Sequence, residues 1–581
     1  MADWYKASLG DIPVDEVHKA KKDEIRFCSR RSPVLCRHAC VATSQPLATS
    51  IGVDFLRRHA NAADTAVAVA AALAVTEPCS TGLGGDMFCL YFDAATKEVM
   101  CVNGSGASPA DLSLDLLKKT YPDGLGGVNE AMFRDSPHAV TVPGAARGWE
   151  DLLSKHGSGK FTLAQLLEPS AVLAEEGFPV GPVTSYHWKA GIPQIRKWLL
   201  ENESVPLTIN GRDGPEPGDL IYNPDLARVL RNLGKQGSSL GFYRGNPGQA
   251  IVDIIQKHGG TMTLQDLAMH KSDFPEALSV EYRGCKLWQH PPNGQGVAGQ
   301  IALAGVDCLE QTRKCPTITP ETIGNADSYH VMMEMMRLGF ADARAYVADP
   351  ASMKVDNKFL LNTDRIGSRA EQLFDPEKAA IAGLPDASNC TVSFQVVDEA
   401  GNAISLVNSN FMGFGTGLVP EGCGFTLQNR GFGFNLQEGH PNQVGASKRP
   451  YHTIIPGVLT HSDTSELYAT ISNMGGNMQP QGHMQLTIDM LAGGMDPQQA
   501  IDMPRFCIAD GTQAGVVFME EGVKEEVLYE LKRRGHIIQS NQSGHERSTF
   551  GRAQIIKRDR ATGVLWAGSD GRADGCAMGV L

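Results

Sequence analysis

A strand, a turn and a second strand can be read in one short stretch of the chain. Val392, Phe394 and Val396 alternate with mostly polar neighbours, residues 398–402 (DEAGN) supply turn formers, and a second apolar run follows at 403–406. Alternation with a period of two beside such a turn is typical of half-buried strands. This stretch therefore predicts a β-hairpin.

Thr391 would stand at the junction between this hairpin and the segment before it. Residues 379–388 are mostly Ala, Gly, Pro, Asp and Ser without an apolar period, which predicts an exposed, pliable segment. A Thr at the start of a chain carries its own base, because its free α-amine has a pKa of roughly 8 and can take the hydroxyl proton. Thr391 would become N-terminal if its hydroxyl attacked the Cys390 carbonyl, moved the acyl group from nitrogen to oxygen, and water then cleaved the ester. An ordinary strand Thr is the alternative.

Four short motifs follow one another in order after residue 390. They are 391–398 (TVSFQVVD), 401–403 (GNA), 414–417 (FGTG) and 448–450 (KRP). Their order and spacing resemble the small-subunit signature of the gamma-glutamyltranspeptidase family, which belongs to the N-terminal-nucleophile (Ntn) hydrolases.

The resemblance implies a fold, a processing step and a nucleophile. Members of the family are made as one precursor, here a large segment 1–390 and a small segment 391–581, and the precursor cleaves itself before the Thr. The two fragments remain together in one α+β domain, a four-layer αββα sandwich. By this resemblance Thr391 is the nucleophile.

Two glycines, Gly475 and Gly476, stand just before a predicted helix that carries Pro480 in its first turn. Paired backbone amides at a helix N-terminus suit a developing oxyanion, and removing such a donor typically costs about 3 kcal/mol of transition-state stabilisation. The resemblance places the oxyanion hole at this pair and gives Ser409 a hydroxyl that orients the nucleophile. A flexible turn is the structural alternative for the glycines.

The resemblance breaks at positions that bind γ-glutamate. Ser105 stands where transpeptidases have an Arg that clamps the α-carboxylate, and Gly433 replaces an Asp that holds the α-amine. His452 and Thr453 stand where transpeptidases have two substrate-binding serines. These departures imply that the chemistry is kept while the substrate differs.

Three other motifs resemble a sister branch of the family that includes oxamate amidohydrolase and related acylases. These motifs are 84–86 (GGD), 428–431 (QNRG) and 448–453 (KRPYHT). Arg430, with Asn429 beside it, lies in a segment that lines the substrate pocket in the family, and its planar fork suits a carboxylate. We therefore expect an amidohydrolase for a small, carboxylate-bearing amide. A structural Arg paired with a nearby Asp or Glu is an equal alternative.

Composition limits the partners and the compartment. A net charge of −13 over 581 residues argues against nucleic acid and anionic membranes. No apolar run is long enough for a membrane span, and the first thirty residues contain no apolar run of signal-peptide length. Thirteen scattered cysteines favour reduced thiols. We therefore expect a cytoplasmic protein whose partners are a small amide and its own two fragments, with a homo-oligomer of processed heterodimers left open.

No cofactor is expected from the motifs. The Cys36 and Cys40 pair lacks a matching second pair, so no metal site is predicted. The formal G-x-G-x-x-G at 294–299 follows two prolines and lacks a βαβ context, so it predicts a turn from strand to helix. Two other functions stay open: a glutathione hydrolase or γ-glutamyltransferase, and an uncleaved binding protein that keeps the fold.

Periodicity and capping residues predict several helices of the large segment. The stretches 62–75, 163–176 and 327–347 have helical patterns, and methionines line the last of them. The stretch 41–48, with cap-type residues and a Pro, predicts the opening of another helix.

Overall fold

The computed structural model describes residues 31–379, 391–509 and 515–580. The strands are β1 Val34–Cys36, β2 Ala39–Thr43, β3 Asp86–Phe92, β4 Val99–Gly104, β5 Phe178–Pro179, β6 Leu220–Ile221, β7 Leu278–Tyr282, β8 Cys285–Gln289, β9 Val392–Val397, β10 Ala403–Ser409, β11 Gly457–His461, β12 Leu467–Asn473, β13 Phe506–Ile508, β14 Val517–Glu520, β15 Ile538–Gln542, β16 Ala553–Arg558, β17 Leu565–Ser569 and β18 Cys576–Val580.

The helices are α1 Pro46–Arg57, α2 Ala62–Thr76, α3 Leu114–Thr120, α4 Glu130–Arg134, α5 Ala145–His156, α6 Leu163–Glu176, α7 Pro182–Arg196, α8 Pro224–Ser238, α9 Asn246–Lys257, α10 Leu264–Ala268, α11 Gly296–Gln311, α12 Ala326–Tyr346, α13 Asn357–Leu360, α14 Thr363–Leu373, α15 Met478–Leu491, α16 Pro497–Asp502 and α17 Glu525–Arg533. Cys390 and the predicted exposed segment before it lie outside the described residues, except Ala379, which is buried rather than exposed.

Two antiparallel sheets form the centre of the fold. A six-stranded sheet has the order β18-β2-β9-β10-β3-β4, and a seven-stranded sheet has the order β1-β17-β16-β12-β11-β8-β7. Both sheets combine strands from before and after Thr391. Strands on either side of Thr391 therefore pair within the same sheets, in keeping with the predicted joint domain.

Three apolar clusters separate four layers. One joins the six-stranded sheet, through residues such as Phe394, to helices that include α2 and α6. A second joins the seven-stranded sheet, through residues such as Ile471, to α11, α12 and α15. A third lies between the sheets and includes Leu90 and Ile556. Because both faces of both sheets are covered, the layers run helix, sheet, sheet, helix, and the predicted α+β, αββα sandwich is confirmed.

The hairpin predicted around residue 391 is present. Strands β9 and β10 pair antiparallel from Ala403 opposite Val397 to Asn408 opposite Val392. The alternation separates two buried faces rather than a core face from a wet one: Phe394 packs toward the helices, while Gln395 donates a hydrogen bond across to Ser472 of the other sheet at 2.6 Å. A polar strand face is therefore buried here because a second sheet supplies its partners.

One predicted helix start was wrong. Residues 39–43 form β2, which pairs with β9 and β18, and α1 begins only at Pro46 after the capping residue Gln45. The helices predicted at 62–75, 163–176 and 327–347 are α2, α6 and α12. Among the described residues, no helix combines the length and apolar character that spanning a membrane requires.

Candidate active site

The hydroxyl of Thr391 lies against the hydroxyl of Ser409. Thr391 directly precedes β9 and Ser409 ends β10, so the hairpin register places the two residues at the same end of the sheet. Their Oγ atoms are 3.0 Å apart, and the N–H of Phe411 donates to Ser409 Oγ at 2.9 Å. Both hydroxyls are buried. The backbone thus fixes the oxygen that contacts Thr391.

Arg430 extends this contact into a network. Its Nη2 donates to Ser409 Oγ at 3.4 Å, and its Nη1 donates to Thr453 Oγ1 at 2.8 Å. The guanidinium carbon lies 4.1 Å from the centre of the Phe411 ring, within the range of a cation–π contact. The structure therefore brings together Thr391, Ser409, Arg430 and Thr453 of the predicted site residues.

The charge of Arg430 is fully buried and has no close counter-ion in the described part of the chain. Its side chain is 0% exposed, and none of the described carboxylates lies within 4.0 Å of it. Its Nε is also buried without a hydrogen-bond partner there. Burial lowers the pKa of Arg430 to about 9, while the negative charge of Asp86 acts to raise it. The guanidinium therefore stays charged at neutral pH. Among these residues the Asp86 carboxylate acts on Arg430 through space, so the structural pairing considered from the sequence is present only as a longer-range attraction.

Asp86 and His452 form a buried pair beside Arg430. The His452 Nε2–H donates to Asp86 Oδ2 at 3.0 Å, and the N–H of Ile454 donates to His452 Nδ1 at 3.4 Å. Burial, with the charge of Arg430 second, lowers the pKa of His452 well below its usual value, so the ring is neutral. Burial raises the pKa of Asp86 to about 6, while Arg430 and several N–H donors oppose that rise.

Sequence reasoning missed Asp86 as a site residue, although the GGD motif carried the signal. A Cβ on Gly84 would lie 2.0 Å from the carbonyl oxygen of Thr426, and one on Gly85 would lie 2.3 Å from that of Ser409. Only glycines let this loop approach so closely. The motif thereby delivers the Asp86 carboxylate, which accepts hydrogen bonds from the Gly106 N–H and from Gln428 Nε2, both at 3.1 Å.

The Gly475–Gly476 turn lies between β12 and α15, as predicted. Both residues have positive φ angles, 118° and 57°, which favour glycine. In the part of the chain that the structure describes, no acceptor is recorded for either amide. Their role as an oxyanion hole stays a prediction.

Gln295 connects the glycine turn to the rest of the site and was not predicted as functional. Its Nε2 donates to the Gly476 carbonyl at 3.0 Å and to the Thr453 carbonyl at 3.3 Å. A continuous path of hydrogen bonds therefore runs from Thr391 through Ser409, Arg430 and Thr453 to the glycine turn. The only sequence signal was the G-x-G-x-x-G stretch at 294–299, which covers the end of the predicted turn after β8 and the first residues of α11.

Ser105 and Asn429 are occupied with scaffold contacts. Ser105 Oγ donates to Asn103 Oδ1 at 2.9 Å and accepts from Asn293 Nδ2 at 3.2 Å. Asn429 Nδ2 donates to the Arg134 carbonyl at 3.3 Å, and its Oδ1 accepts from the Met412 N–H at 3.3 Å. These contacts hold loops around the site and give neither residue a contact with Thr391.

Gly433 is too confined to carry a side chain. A Cβ there would lie 2.5 Å from the carbonyl oxygen of Tyr451. An Asp at this position would require the backbone to move. Position 433 thus lacks a carboxylate that could bind an α-amine, and the local packing leaves no room for one.

Comparisons with known proteins agree with this architecture. The family model described as gamma-glutamyltranspeptidase matches residues 48–580. A glutathione hydrolase-like YwrD proenzyme of Bacillus subtilis is 33% identical, over 93% of this chain and 98% of its own length. An oxamate amidohydrolase proenzyme of Klebsiella pneumoniae is 27% identical, over 93% and 98%. The crystal structure of a cephalosporin acylase from Bacillus halodurans superimposes with a TM-score of 0.85 at 35% identity, covering 96% of this chain and 98% of that one.

Proposed function

Since this chain belongs to the gamma-glutamyltranspeptidase family, we propose that it processes itself and then hydrolyses a small carboxylate-bearing amide with Thr391. The relatives compared above are named as hydrolases and acylases. The observation that carries the proposal is the 3.0 Å contact of Thr391 Oγ1 with a Ser409 hydroxyl that also meets the buried Arg430. The Ser409 hydroxyl oxygen therefore contacts both the proposed nucleophile, Thr391, and the proposed substrate-binding charge, Arg430.

Processing would begin at the bond between Cys390 and Thr391. The Thr391 hydroxyl attacks the Cys390 carbonyl carbon, the C–N bond breaks, and an ester forms while the amine takes up the proton. Water then hydrolyses the ester, which leaves a Cys390 carboxylate and a free Thr391 α-amine. The names of several relatives include the word proenzyme, in keeping with such a step.

Turnover would use the same oxygen a second time. The free α-amine of Thr391 accepts the proton of its hydroxyl, the oxygen attacks the substrate amide, and the amides of Gly475 and Gly476 stabilise the tetrahedral oxyanion. The amine then returns the proton to the leaving nitrogen. Water cleaves the resulting ester and frees the acid product and the enzyme.

Arg430 would bind a carboxylate on the acyl side of the substrate. A fully buried guanidinium without a carboxylate within 4.0 Å among the described residues pays a large desolvation cost, which an anionic ligand offsets. Thr453, which accepts a hydrogen bond from Arg430 Nη1, would fix the orientation of the guanidinium. The neutral His452 would add no competing charge. The name of the Klebsiella relative, an oxamate amidohydrolase, agrees with a short acid amide.

Glutathione hydrolysis is the second candidate, because the Bacillus relative is named glutathione hydrolase-like. Against it, Ser105 is bonded to Asn103 and Gly433 has no room for a side chain. Neither the carboxylate nor the ammonium of a glutamyl group would find the partner that transpeptidases provide. An uncleaved binding protein is the remaining alternative.

The test is a comparison of three proteins on two substrates. Wild type, Thr391→Ser and Thr391→Ala are assayed for ammonia release from oxamate and for hydrolysis of glutathione. We expect wild type and Thr391→Ser to act on oxamate far better than on glutathione, and Thr391→Ala to be inactive. Glutathione turnover that exceeds oxamate turnover contradicts the substrate class, and activity in Thr391→Ala contradicts the nucleophile.

A further inference from the structure

A buried cluster of His330, Glu334 and His536 lies away from the site described above. Their ligand atoms all lie within 4.8 Å of one another. His330 is 0% exposed, Glu334 5% and His536 4%. We propose that these three side chains bind one divalent transition-metal ion of the Zn²⁺ class, which ties the large segment to the small one.

The first two ligands are set one helical turn apart. His330 and Glu334 both lie on α12, and a spacing of four residues puts two side chains on the same face of a helix. His536 follows α17 and reaches the same point from the small segment. Two imidazoles and one carboxylate form a ligand set that suits Zn²⁺, with a fourth tetrahedral position for water.

The His330 ring is already oriented to act as a metal ligand. Its Nε2 lies 2.8 Å from the carbonyl oxygen of Asp375, and because a carbonyl only accepts, that nitrogen carries the proton. Its Nδ1 lone pair therefore points at His536 Nε2, 2.7 Å away. A backbone carbonyl that fixes the tautomer of a histidine is the usual second contact of a metal ligand.

His536 has the freedom to change tautomer. Its Nδ1 is buried and has no hydrogen-bond partner in the part of the chain that the structure describes. The proton that His536 Nε2 donates to His330 can therefore move to His536 Nδ1, which leaves Nε2 as a ligand. Around a tetrahedral ion with bonds of about 2.0 Å the two nitrogens would separate to roughly 3.3 Å, an opening of about 0.6 Å.

The surrounding charges balance a cation. Arg337 lies 3.4 Å from Glu334, while Arg534 is paired with both Asp327 and Glu530. Arg533 also pairs with Glu530 and with Glu377, so these four carboxylates and three guanidiniums keep one net negative charge, which lowers the cost of placing a dication beside them. The cluster therefore differs from a cationic pocket that would reject a metal ion.

The position of the cluster gives the ion a role. The Asp375 carbonyl that orients His330 belongs to the stretch that ends the described part of the large segment, and Ala379 N–H donates to the Arg534 carbonyl at 2.7 Å. An ion held by His330, Glu334 and His536 would keep this stretch attached to the small segment. The sequence predicted no metal site, because His536 stands 206 residues after His330.

The experiment measures metal content directly. Purified wild-type protein is dialysed against EDTA, reloaded with ZnCl₂, desalted and analysed by mass spectrometry for zinc, beside His330→Gln, His536→Gln and the control His483→Gln. The control histidine is equally buried and carries the same substitution elsewhere. We expect about one zinc per chain in wild type and control, and less than a tenth of that in the two cluster variants. EDTA should lower the Tm of wild type and control but not that of the cluster variants.

A second measurement needs no variant and so does not depend on their folding. Wild type is titrated with CoCl₂, and the visible absorption of a tetrahedral cobalt ion with nitrogen and oxygen ligands should appear and then disappear on adding zinc. Wild type that takes up no zinc and shows no such absorption overturns the proposal and leaves only a hydrogen bond between two histidines. Zinc content that is unchanged in His536→Gln overturns it as well.

Discussion

Replacing Arg430 by Lys tests the proposed substrate contact while keeping a cationic side chain. The guanidinium makes two hydrogen bonds in fixed directions, to Ser409 and Thr453, and lies over Phe411. A Lys has one ammonium and cannot match this planar fork. We expect Arg430→Lys to lose activity on carboxylate-bearing amides while still processing at Thr391.

The size of the loss follows from the bond that disappears. A hydrogen bond to a charged group contributes about 1.5 to 3 kcal/mol, so losing one arm of a bidentate carboxylate contact lowers kcat/KM by roughly 10- to 150-fold. Burial lowers the pKa of Arg430 to about 9. A Lys starts about two units lower, and the same burial would lower its pKa below that of Arg430, toward neutral pH. The loss should therefore be larger at pH 8 than at pH 6.

The assay compares oxamate with oxamide, in which a neutral carboxamide replaces the carboxylate. Values of kcat/KM are measured at pH 6 and pH 8, and processing is scored on the same samples by denaturing gel. Arg572→Lys is the matched control, because Arg572 is also buried but is paired with Glu520 and Asp570. The control should retain the wild-type preference for oxamate.

Two results would refute the reasoning about Arg430. Equal losses on oxamate and oxamide would mean that the guanidinium does not meet the carboxylate. A failure of Arg430→Lys to process, when the control does, would make Arg430 part of the scaffold.

Three further outcomes are expected. Ser409→Ala should slow the processing of Thr391 about 2- to 10-fold in timed gels, since a hydrogen bond of about 0.5 to 1.5 kcal/mol is lost; an unchanged rate contradicts the orienting role. Gly433→Asp should lower Tm without creating turnover of γ-glutamyl anilides, because its Cβ meets Tyr451 at 2.5 Å; new turnover would show that the pocket adapts. Burial raises the pKa of Asp489 from its usual value near 4 to about 8, so wild type loses up to about 1.4 kcal/mol of stability per pH unit between these two values and little more above pH 8. The Tm of Asp489→Asn relative to wild type should therefore rise from pH 5 to pH 8.5. A constant difference would contradict it.

Local patterns predicted the elements that surround the candidate site. The β9–β10 hairpin, the glycine turn before α15 and the turn before α11 all depend on residues close together in sequence, and the structure has each of them. The error at residues 41–48 is also local. The capping residues before Pro46 predict a helix that begins at residue 41, whereas residues 39–43 form β2. Apolar residues next to a cap fit a strand equally well when a sheet is ready to bury them.

The site contacts that could not be predicted from the sequence join residues far apart in the chain. Asp86 and His452 are 366 residues apart, and Gln295 reaches Gly476 across 181 residues. No spacing rule connects side chains from different layers of a sandwich. Arg430 shows the same limit from the other direction, since only the structure places its fork against Ser409 and Thr453.

The central claim is that Thr391 becomes the first residue of a separate chain. Intact mass spectrometry of the purified protein, with N-terminal sequencing of the smaller species, measures this directly. The account predicts two fragments, roughly two-thirds and one-third of the mass, with the smaller beginning at Thr391, and a Thr391→Ala protein that stays full length. A wild-type protein that hydrolyses its amide substrate as one intact chain would contradict the account.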